Sequence, residues 1–484
     1  MASIGEESRD SAAIEEMFRP PIHRAASTVL DRGLFSKTIP IAAARIADRK
    51  KISKYRTELE KARDLLRLER LQAVTEDPDP LIASKGGKCL LLAPDVKVND
   101  PGTWSRILQA AVEEKELGVI PFDLRLHYEY WTYLEIMKAI LPEESQDEIP
   151  VGFSIVGHVA HLNLREQYLP YKHLIAQVLR DKNPTVRTVI NKTDDVGTHS
   201  EYRTFGYEVL AGVDEMNVEI READCIFRFD YSKVYWNSRL NTEHKRLVAM
   251  FNPGEVVADV MAGVGPFAIP AGKKGVFVWA NDLNPDSFAS LKDAITRNKV
   301  EKYVHAFCED GHSFIHHAAD DLLNLSKTNK DTITIAPKRS RTAQPSDPVP
   351  PPRTVTIPQT VAHFVMNLPA TAIDFLPAFS GLYAGHESLF LPNTPTKLPM
   401  VHVHCFSTKS DDNVRESIDI CERISGELGV TIKPDDEELS IHDYLAFRKS
   451  PRERLWSDLK YQARDGDETS IQTLEKDKEL PNVA

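Results

Sequence analysis

The stretch VVADVMAGVGPF, residues 256–267, decides the fold of this chain. Its apolar run predicts a buried strand, and Gly263 and Gly265 follow as a tight turn that opens a helix. Such a turn needs glycine because the backbone bends sharply and approaches a ligand closely. In a parallel sheet the turn lies at the carboxyl edge, where open α/β folds bind their ligands. The stretch therefore predicts a nucleotide-type site on a parallel sheet.

The sequence on both sides of this stretch alternates between strand and helix patterns. The apolar strand candidates are residues 255–261, 275–281, 303–308, 362–366 and 400–405. Helical patterns, such as the one over residues 285–299, lie between them. This alternation predicts a doubly wound, Rossmann-like α/β domain.

Two classes of nucleotide site share a glycine turn of this kind. Gly263, Gly265 and Ala268 also fit the dinucleotide fingerprint, which permits a final alanine. Asp259 lies inside the strand, where a dinucleotide-binding strand is normally apolar, and Pro266 directly follows the second glycine. Both features favour a methyltransferase over an NAD-linked oxidoreductase.

Polar residues follow each of the next three predicted strands. Asp282 ends the second strand and would accept hydrogen bonds from ribose hydroxyls, and residues 309–311, Glu-Asp-Gly, end the third. For each acid alone, capping a helix N-terminus is the better explanation, but acids at successive strand ends together indicate a site. Residues 367–369, Asn-Leu-Pro, end the fourth strand, which should face the reacting group. A capping asparagine is the common alternative there.

The composition excludes several classes of protein. The chain has 484 residues, a formal net charge of −12 and five cysteines, none of which forms a C-x-x-C pair. We therefore predict no metal site, and the net charge argues against nonspecific coating of nucleic acid. The basic segment at residues 45–70 either contacts RNA or forms a solvated helix face. No apolar run has the length of a membrane span.

Changes in composition predict four regions. They are a mixed, mainly helical region over residues 1–148, a small α/β domain over 149–232, the α/β domain over 233–461 with a flexible proline-rich insertion at 326–359, and a disordered acidic tail over 462–484. Helices are predicted at residues 52–74 and 128–140. Residues 152–164 predict a strand that enters a helix.

Several motifs occur in a specific order along the chain. They are residues 203–205 (RTF), 208–212 (EVLAG), 233–236 (KVYW), 238–240 (SRL) with Glu243, the glycine turn, 282–285 (DLNP) and 367–369 (NLP). By these motifs, residues 18–443 resemble the archaeal and eukaryal type of tRNA (guanine-37) N1-methyltransferase. The resemblance implies a class I methyltransferase domain, the cofactor S-adenosyl-L-methionine, and a tRNA partner bound at its anticodon-loop guanosine and its body. The family is placed in cytoplasm, nucleus and mitochondrial matrix, and we expect this chain in cytoplasm and nucleus, with the matrix as the alternative. We also predict a monomer and no membrane partner.

The resemblance assigns roles to individual residues. Guanine N1 carries a proton that a base must remove during methyl transfer, and the matching residue is Glu243. Arg203 would stabilise the charge that develops on O6, and Asn367 would act as a further catalytic residue. The implied cofactor-binding residues are His244, Asp259, Ala262, Gly263, Gly265, Asp282, Leu283, Asp310, Gly311, Asn367 and Pro369. Taken alone, Glu243 is equally explained as an acid in the first turn of a helix, and Arg203 as a surface ion-pair residue.

The sequence departs from this resemblance near its C-terminus. Residues 441–443 begin the region where the closing strand of the sheet is expected, and no such strand is predicted after them. Two alternative functions therefore stay open. One is transfer of an aminocarboxypropyl group from the same cofactor to a tRNA base, and the other is tRNA binding with impaired catalysis.

Overall fold

The structure is a computed structural model. It describes residues 16–24, 29–146, 148–193, 202–335, 351–406 and 413–434, and the strand backbones at 439–444, 454–463 and 469–472. The chain divides into two compact units, of which the first comprises Met1–Phe153, Leu162–Val189 and Leu210–Gly212, and the second comprises Ser154–His161, Ile190–Val209 and Val213–Ala484. The segment predicted as a small domain, residues 149–232, is thus divided between the two. No helix in the described ranges is long and apolar enough to cross a membrane.

The first unit contains an antiparallel sheet that the sequence analysis did not foresee. Its strands are β1 (Lys37–Ile46), β2 (Val74–Glu76), β3 (Lys88–Leu91) and β4 (Leu117–Leu126), in the order β2-β3-β1-β4. The α-helices of the unit are α1 (Ile52–Ala62), α2 (Pro80–Ser84), α3 (Arg106–Glu113), α4 (Tyr133–Ile140) and α5 (Lys172–Lys182). Tyr55 and Leu59 from α1 and Leu108 from α3 pack on one face of the sheet.

Both helices predicted in this unit are shorter than expected. The first ends at Ala62, because Arg63 adopts a left-handed conformation with φ 67° and the chain turns away. The second is preceded by a 3-10 turn at Tyr128–Tyr130, and the α-helix begins only after Thr132. The Thr132 and Glu135 side chains form a capping box that fixes this start.

The segment after α4 forms strands. β5 (Ser154–Val156), β6 (Val159–Leu162), β7 (Thr188–Lys192) and β8 (Tyr207–Gly212) make a four-stranded sheet in that order, and β9 (Asn217–Glu222) pairs with β10 (Cys225–Asp230). The prediction of a strand entering a helix over residues 152–164 was wrong. Gly157, with φ 59°, turns the chain back so that β5 pairs antiparallel with β6.

The second unit contains the predicted doubly wound sheet. Its strands are β11 (Val256–Asp259), β12 (Phe277–Asn281), β13 (Val304–Phe307), β16 (His363–Met366), β17 (Met400–Phe406), β18 (Leu439–Tyr444), β19 (Arg454–Ala463) and β20 (Thr469–Gln472), and a separate pair consists of β14 (Thr332–Ile335) and β15 (Arg353–Thr356). Its helices are α6 (Asn241–Met250), α7 (Ala268–Lys274), α8 (Pro285–Asn298), α9 (Gly311–Lys327) and α10 (Asn413–Leu428). The order of the large sheet is β13-β12-β11-β16-β17-β19-β18. The first five strands in this order are parallel, and each lies at a position predicted from the sequence.

Alternate residues of the parallel strands face the helix layers on the two sides of the sheet. Val257 of β11 packs in one core with Ile269 of α7 and Leu291 of α8. Its neighbour Val256 packs in the other core, which includes Ile420 of α10. Burial on both faces explains why these strands are continuous apolar runs.

The closing part of the sheet corrects the sequence analysis. Residues 454–463 form β19, which pairs antiparallel with β17, and residues 439–444 form β18, which pairs with β19. The strand predicted to be missing is thus present, further along the chain than expected. β20 lies inside the predicted tail, and residues 473–484 lie outside the described part.

The predicted insertion at residues 326–359 is partly regular. α9 continues to Lys327, and β14 and β15 pair antiparallel with Ile333 opposite Val355. Both of these side chains pack against the core formed by α9 and α10. Residues 336–350 lie outside the described part of the chain.

This pairing predicts which part of the insertion the fold needs. Replacing residues 336–352 by Asn-Gly should close the β14–β15 pair as a tight hairpin and shift the melting temperature by less than about 3 °C. A second variant that also lacks both strands should melt earlier, because Ile333 and Val355 lose their packing. Circular dichroism melting would measure both, and loss of cooperative melting in the hairpin variant would contradict the prediction.

Candidate active site

The glycine turn connects β11 to α7. Gly263 and Gly265 have φ values of 58° and 93°, in the left-handed region where other residues are strained. A Cβ atom on Gly265 would lie 2.7 Å from Leu291 Cδ1, so no side chain fits there. A Cβ on Gly263 would meet nothing within 4 Å, because this glycine faces open space. Gly265 therefore serves packing against α8, and Gly263 leaves room for a ligand.

Asp282 holds this turn from the neighbouring strand end. Its Oδ2 accepts a hydrogen bond from the Gly263 N–H at 2.7 Å, and its Oδ1 accepts one from the Asn284 N–H at 3.0 Å. Burial raises the pKa of this carboxyl, while the two backbone donors oppose the shift. The predicted ribose-binding acid therefore also shapes the turn.

Asn281 is a structural residue of the site that the sequence analysis missed. It is buried, and its Nδ2 donates to the carbonyl oxygens of Val260 and Glu309 at 3.1 and 2.9 Å. Its Oδ1 accepts from the Glu309 N–H at 3.0 Å. One amide thus links the ends of three neighbouring strands. The sequence signal that could have indicated this role is a polar residue at the end of an apolar strand, directly before Asp282.

Asp259 is the most unusual group in the site. Its side chain is 0 % exposed, and neither carboxylate oxygen has a hydrogen-bond partner among the described residues. Burial raises its pKa well above the usual range, and the nearby charge of Asp282 adds to the shift. A buried polar group without a partner costs free energy in the folded chain.

A cavity opens to solvent at the carboxyl ends of β11, β12 and β16. The chain proceeds from β11 to strands on either side, so the cavity lies at the switch point of the sheet, where such folds bind ligands. Nine predicted residues line it, namely Arg203, His244, Ala262, Gly263, Asp282, Leu283, Asp310, Gly311 and Asn367. Four others do not, namely Glu243, Asp259, Gly265 and Pro369.

Aromatic residues complete the lining of this cavity. They are Tyr202, Tyr235, Trp236, Phe267 and Phe375. Phe375 was not foreseen, because it follows the Asn-Leu-Pro motif on a 3-10 segment. The Arg203 guanidinium lies 4.4 Å from the centre of the Tyr235 ring. Arg203 thus lines the cavity and makes a cation–π contact there.

His244 reaches the cavity from the first turn of α6. Its Nδ1 lies 2.6 Å from Glu222 Oε1, and both side chains are about 95 % buried. Its ring also packs edge-to-face on Phe267, which follows the glycine turn. The partner acid orients the imidazole and leaves Nε2 as its second polar atom.

Glu243 lies beside His244 but is fully buried. Arg246 donates to both carboxylate oxygens, at 2.7 and 2.8 Å, and His404 Nε2 lies 3.2 Å from Oε1. Burial alone would raise the pKa of Glu243, but the hydrogen bonds from His404 and Arg246 outweigh it, and the pKa lies below its usual value. Glu243 is therefore held as a carboxylate.

The acids after β13 have local roles. Asp310 caps α9 by accepting from the N–H groups of His312 and Ser313, and Glu309 pairs with His317 at 2.6 Å. The capping explanation that the sequence left open is thus correct for Asp310, although this residue also lines the cavity. Phe375 stacks on His312 at a ring distance of 4.1 Å and closes this side.

The isolation of Asp259 predicts an effect on stability. Its folded-state pKa is raised, so the folded chain releases this proton at higher pH than the unfolded chain, and stability falls as pH rises above about 4. Asp259→Asn should be more stable than wild type at neutral pH. The difference should be about 1.4 kcal/mol for each pH unit by which the folded-state pKa exceeds the unfolded-state pKa, counted up to the pH of measurement. Urea unfolding would show the difference, which should vanish near pH ~4. A less stable variant at neutral pH would contradict it.

Two family models match adjacent parts of the chain. The TYW2 N-terminal domain matches residues 133–215, and the TRM5/TYW2 methyltransferase domain matches residues 218–336. The second match contains the glycine turn and Asp282.

Solved structures share the fold. WT Trm5b from Pyrococcus abyssi is 19 % identical, with a TM-score of 0.52, and the alignment covers 89 % of this chain and 99 % of that one. The aTrm5 chain in the structure titled a complex with tRNALeu is 18 % identical, with a TM-score of 0.55 and coverage of 87 % and 99 %. At these identities the likeness concerns the fold alone.

Curated relatives match nearly the whole chain. A protein of Fusarium vanettenii is 58 % identical over 422 residues, which cover 87 % of this chain and 90 % of that one. Proteins of Neurospora crassa and Schizosaccharomyces pombe are 56 % and 44 % identical, covering 88 % and 84 % of this chain and 90 % and 88 % of theirs. All three carry the name tRNA (guanine(37)-N(1))-methyltransferase. With this identity over this length, the chain belongs to the tRNA (guanine(37)-N(1))-methyltransferase family.

Proposed function

We propose that the protein transfers the methyl group of S-adenosyl-L-methionine to N1 of guanosine 37 in tRNA. The observation that carries this proposal is the cavity at the switch point, where Arg203, His244 and Asn367 surround the glycine turn. The relatives named for this reaction support it, as does the complex of aTrm5 with tRNALeu.

The residues of the site fit the proposed cofactor. Asp282 lines the cavity and offers acceptors to ribose hydroxyls. Gly263 leaves open space beside the turn. When bound, S-adenosyl-L-methionine supplies an electrophilic methyl group on a sulfonium. Transfer of this methyl group requires no metal.

The chain's own residues would then manage the proton and charge of the guanine. Guanine N1 is a poor nucleophile while protonated, so a base must remove its proton as the new bond forms. We assign this base to Glu243, because the hydrogen bonds from His404 and Arg246 lower its pKa despite its burial. Arg203 would stabilise the negative charge on O6, and Asn367 would hydrogen-bond the base at the end of β16.

The hydrogen bonds that hold Glu243 in the structure add a requirement to this mechanism. Both of its oxygens are engaged by Arg246, and it does not line the cavity. Arg246 must therefore release the carboxylate before guanine N1 can reach it. The target base must also leave its stack in the anticodon loop, so tRNA binding is the event that would open the pair.

The decisive experiment uses purified protein, labelled S-adenosyl-L-methionine and unmodified tRNA transcripts with G or A at position 37. We expect N1-methylguanosine from the G transcript and no product from the A transcript. An aminocarboxypropyl nucleoside would instead establish the alternative transferase. Binding of tRNA without any transfer would favour the binding-protein alternative and overturn the proposal.

The role of Glu243 predicts a selective kinetic defect. Glu243→Gln should lower the single-turnover rate by about 100-fold or more, because the amide cannot accept the N1 proton, while tRNA affinity changes little. Rapid quench and filter binding would measure the two quantities. The control is Glu301→Gln, at an exposed acid of the same unit, which should behave as wild type. A near-normal rate in Glu243→Gln would remove it as the base.

A further inference from the structure

A buried histidine lies between β17 and α6. His404 of β17 is 2 % exposed, and its Nε2 lies 3.2 Å from Glu243 Oε1. Its Nδ1 lies 3.3 Å from the carbonyl oxygen of Met366, the residue before Asn367. The imidazole therefore connects the proposed base to the strand end that carries the Asn-Leu-Pro motif.

Both partners of this ring are acceptors. A carboxylate and a backbone carbonyl can only accept hydrogen bonds, whereas a neutral imidazole has one N–H and an imidazolium has two. An N–H on Nε2 is in place to donate to Glu243, and an N–H on Nδ1 is in place to donate to the Met366 carbonyl. The ring of Phe267 lies beside it, at a centroid distance of 5.9 Å.

Burial raises the pKa of the proposed base, Glu243, and so favours its protonated form. A fully buried carboxyl favours its neutral form, which cannot accept a proton. Two hydrogen-bonding side chains oppose this at Glu243, namely Arg246 and His404. The Arg246 side chain is 32 % exposed, so it is able to move towards solvent, whereas the His404 side chain is 2 % exposed and fixed within the sheet. Once Arg246 has moved away, His404 is the partner that stays.

We propose, building on the proposed function, that His404 is a positioning residue that keeps Glu243 ionised and oriented while Arg246 gives way to the guanine. His404 does not line the cavity and acts only through Glu243. The contact is buried on both sides, so solvent does not screen it.

The other titratable groups around this pair have partners of their own. His244, next to Glu243 on α6, pairs with Glu222. On the same face of β17, His402 Nε2 lies 2.9 Å from His363 Nδ1. His363 in turn lies 3.5 Å from Glu255. His402 is therefore a matched control, because it is buried on the same strand but contacts a different group.

The test is the pH dependence of the single-turnover rate on the G37 transcript. Loss of the His404 hydrogen bond raises the pKa of Glu243, so the acidic limb should move to higher pH by about one unit in His404→Leu. His404→Gln keeps an N–H that reaches Glu243 and should show a smaller shift. His402→Leu should keep the wild-type limb. Calorimetry should show unchanged affinity for S-adenosyl-L-methionine in all three variants.

A folding defect is separated by melting each variant. If His404→Leu does not unfold cooperatively, His404→Asn replaces it in the test. The Asn side chain is too short to reach Glu243, whereas the Gln side chain is long enough. A limb that moves in His404→Asn and is restored in His404→Gln supports the proposal. If the wild type is active and the acidic limb of the pH–rate profile does not shift in folded His404→Leu or His404→Asn, the role of His404 is overturned while the proposed function stands. A wild-type chain that forms no N1-methylguanosine overturns the proposed function and this role with it.

Discussion

The side chain of Asn281 holds three strand ends together, and the geometry of the cavity depends on that link. Asn281 ends β12, and its side-chain amide forms hydrogen bonds with Val260, which follows β11, and with Glu309, which follows β13. Asp282, one residue later, accepts the N–H of Gly263. Two consecutive polar residues thus fix the glycine turn. Their burial is tolerated because nearly every hydrogen-bonding atom they carry is used.

The doubly wound sheet was predictable because its signals are local. Parallel strands buried on both faces are continuous apolar runs, and a glycine turn marks where one of them ends. The positions of Asp282, Asn367 and Gly263 at the cavity followed from this topology alone. Parallel strand ends meet at one edge whatever the intervening sequence, so side chains far apart in the chain came together as expected.

The parts that escaped prediction depend on tertiary contacts. β1 contains Ala42 to Ala44, a helix-favouring run, and Pro40, which argues against a central strand. Pro40 is tolerated because it pairs with β4 only, beyond the stretch of β1 that pairs with β3. The engagement of Glu243 by His404 joins residues distant in sequence, and no local pattern indicates it. The late position of β19 is likewise set by its pairing with β17.

The site holds its two buried acids in opposite environments. Asp259 has no partner among the described residues, so burial raises its pKa and the protein itself supplies nothing that stabilises its charge. Glu243 is equally buried but is bonded by Arg246 and His404, and its pKa is lowered. Burial alone therefore does not set the direction of the shift, and the hydrogen-bond partners decide it. The environment of Asp259 favours its neutral form, whereas the hydrogen bonds from Arg246 and His404 favour the ionised form of Glu243 before any ligand arrives.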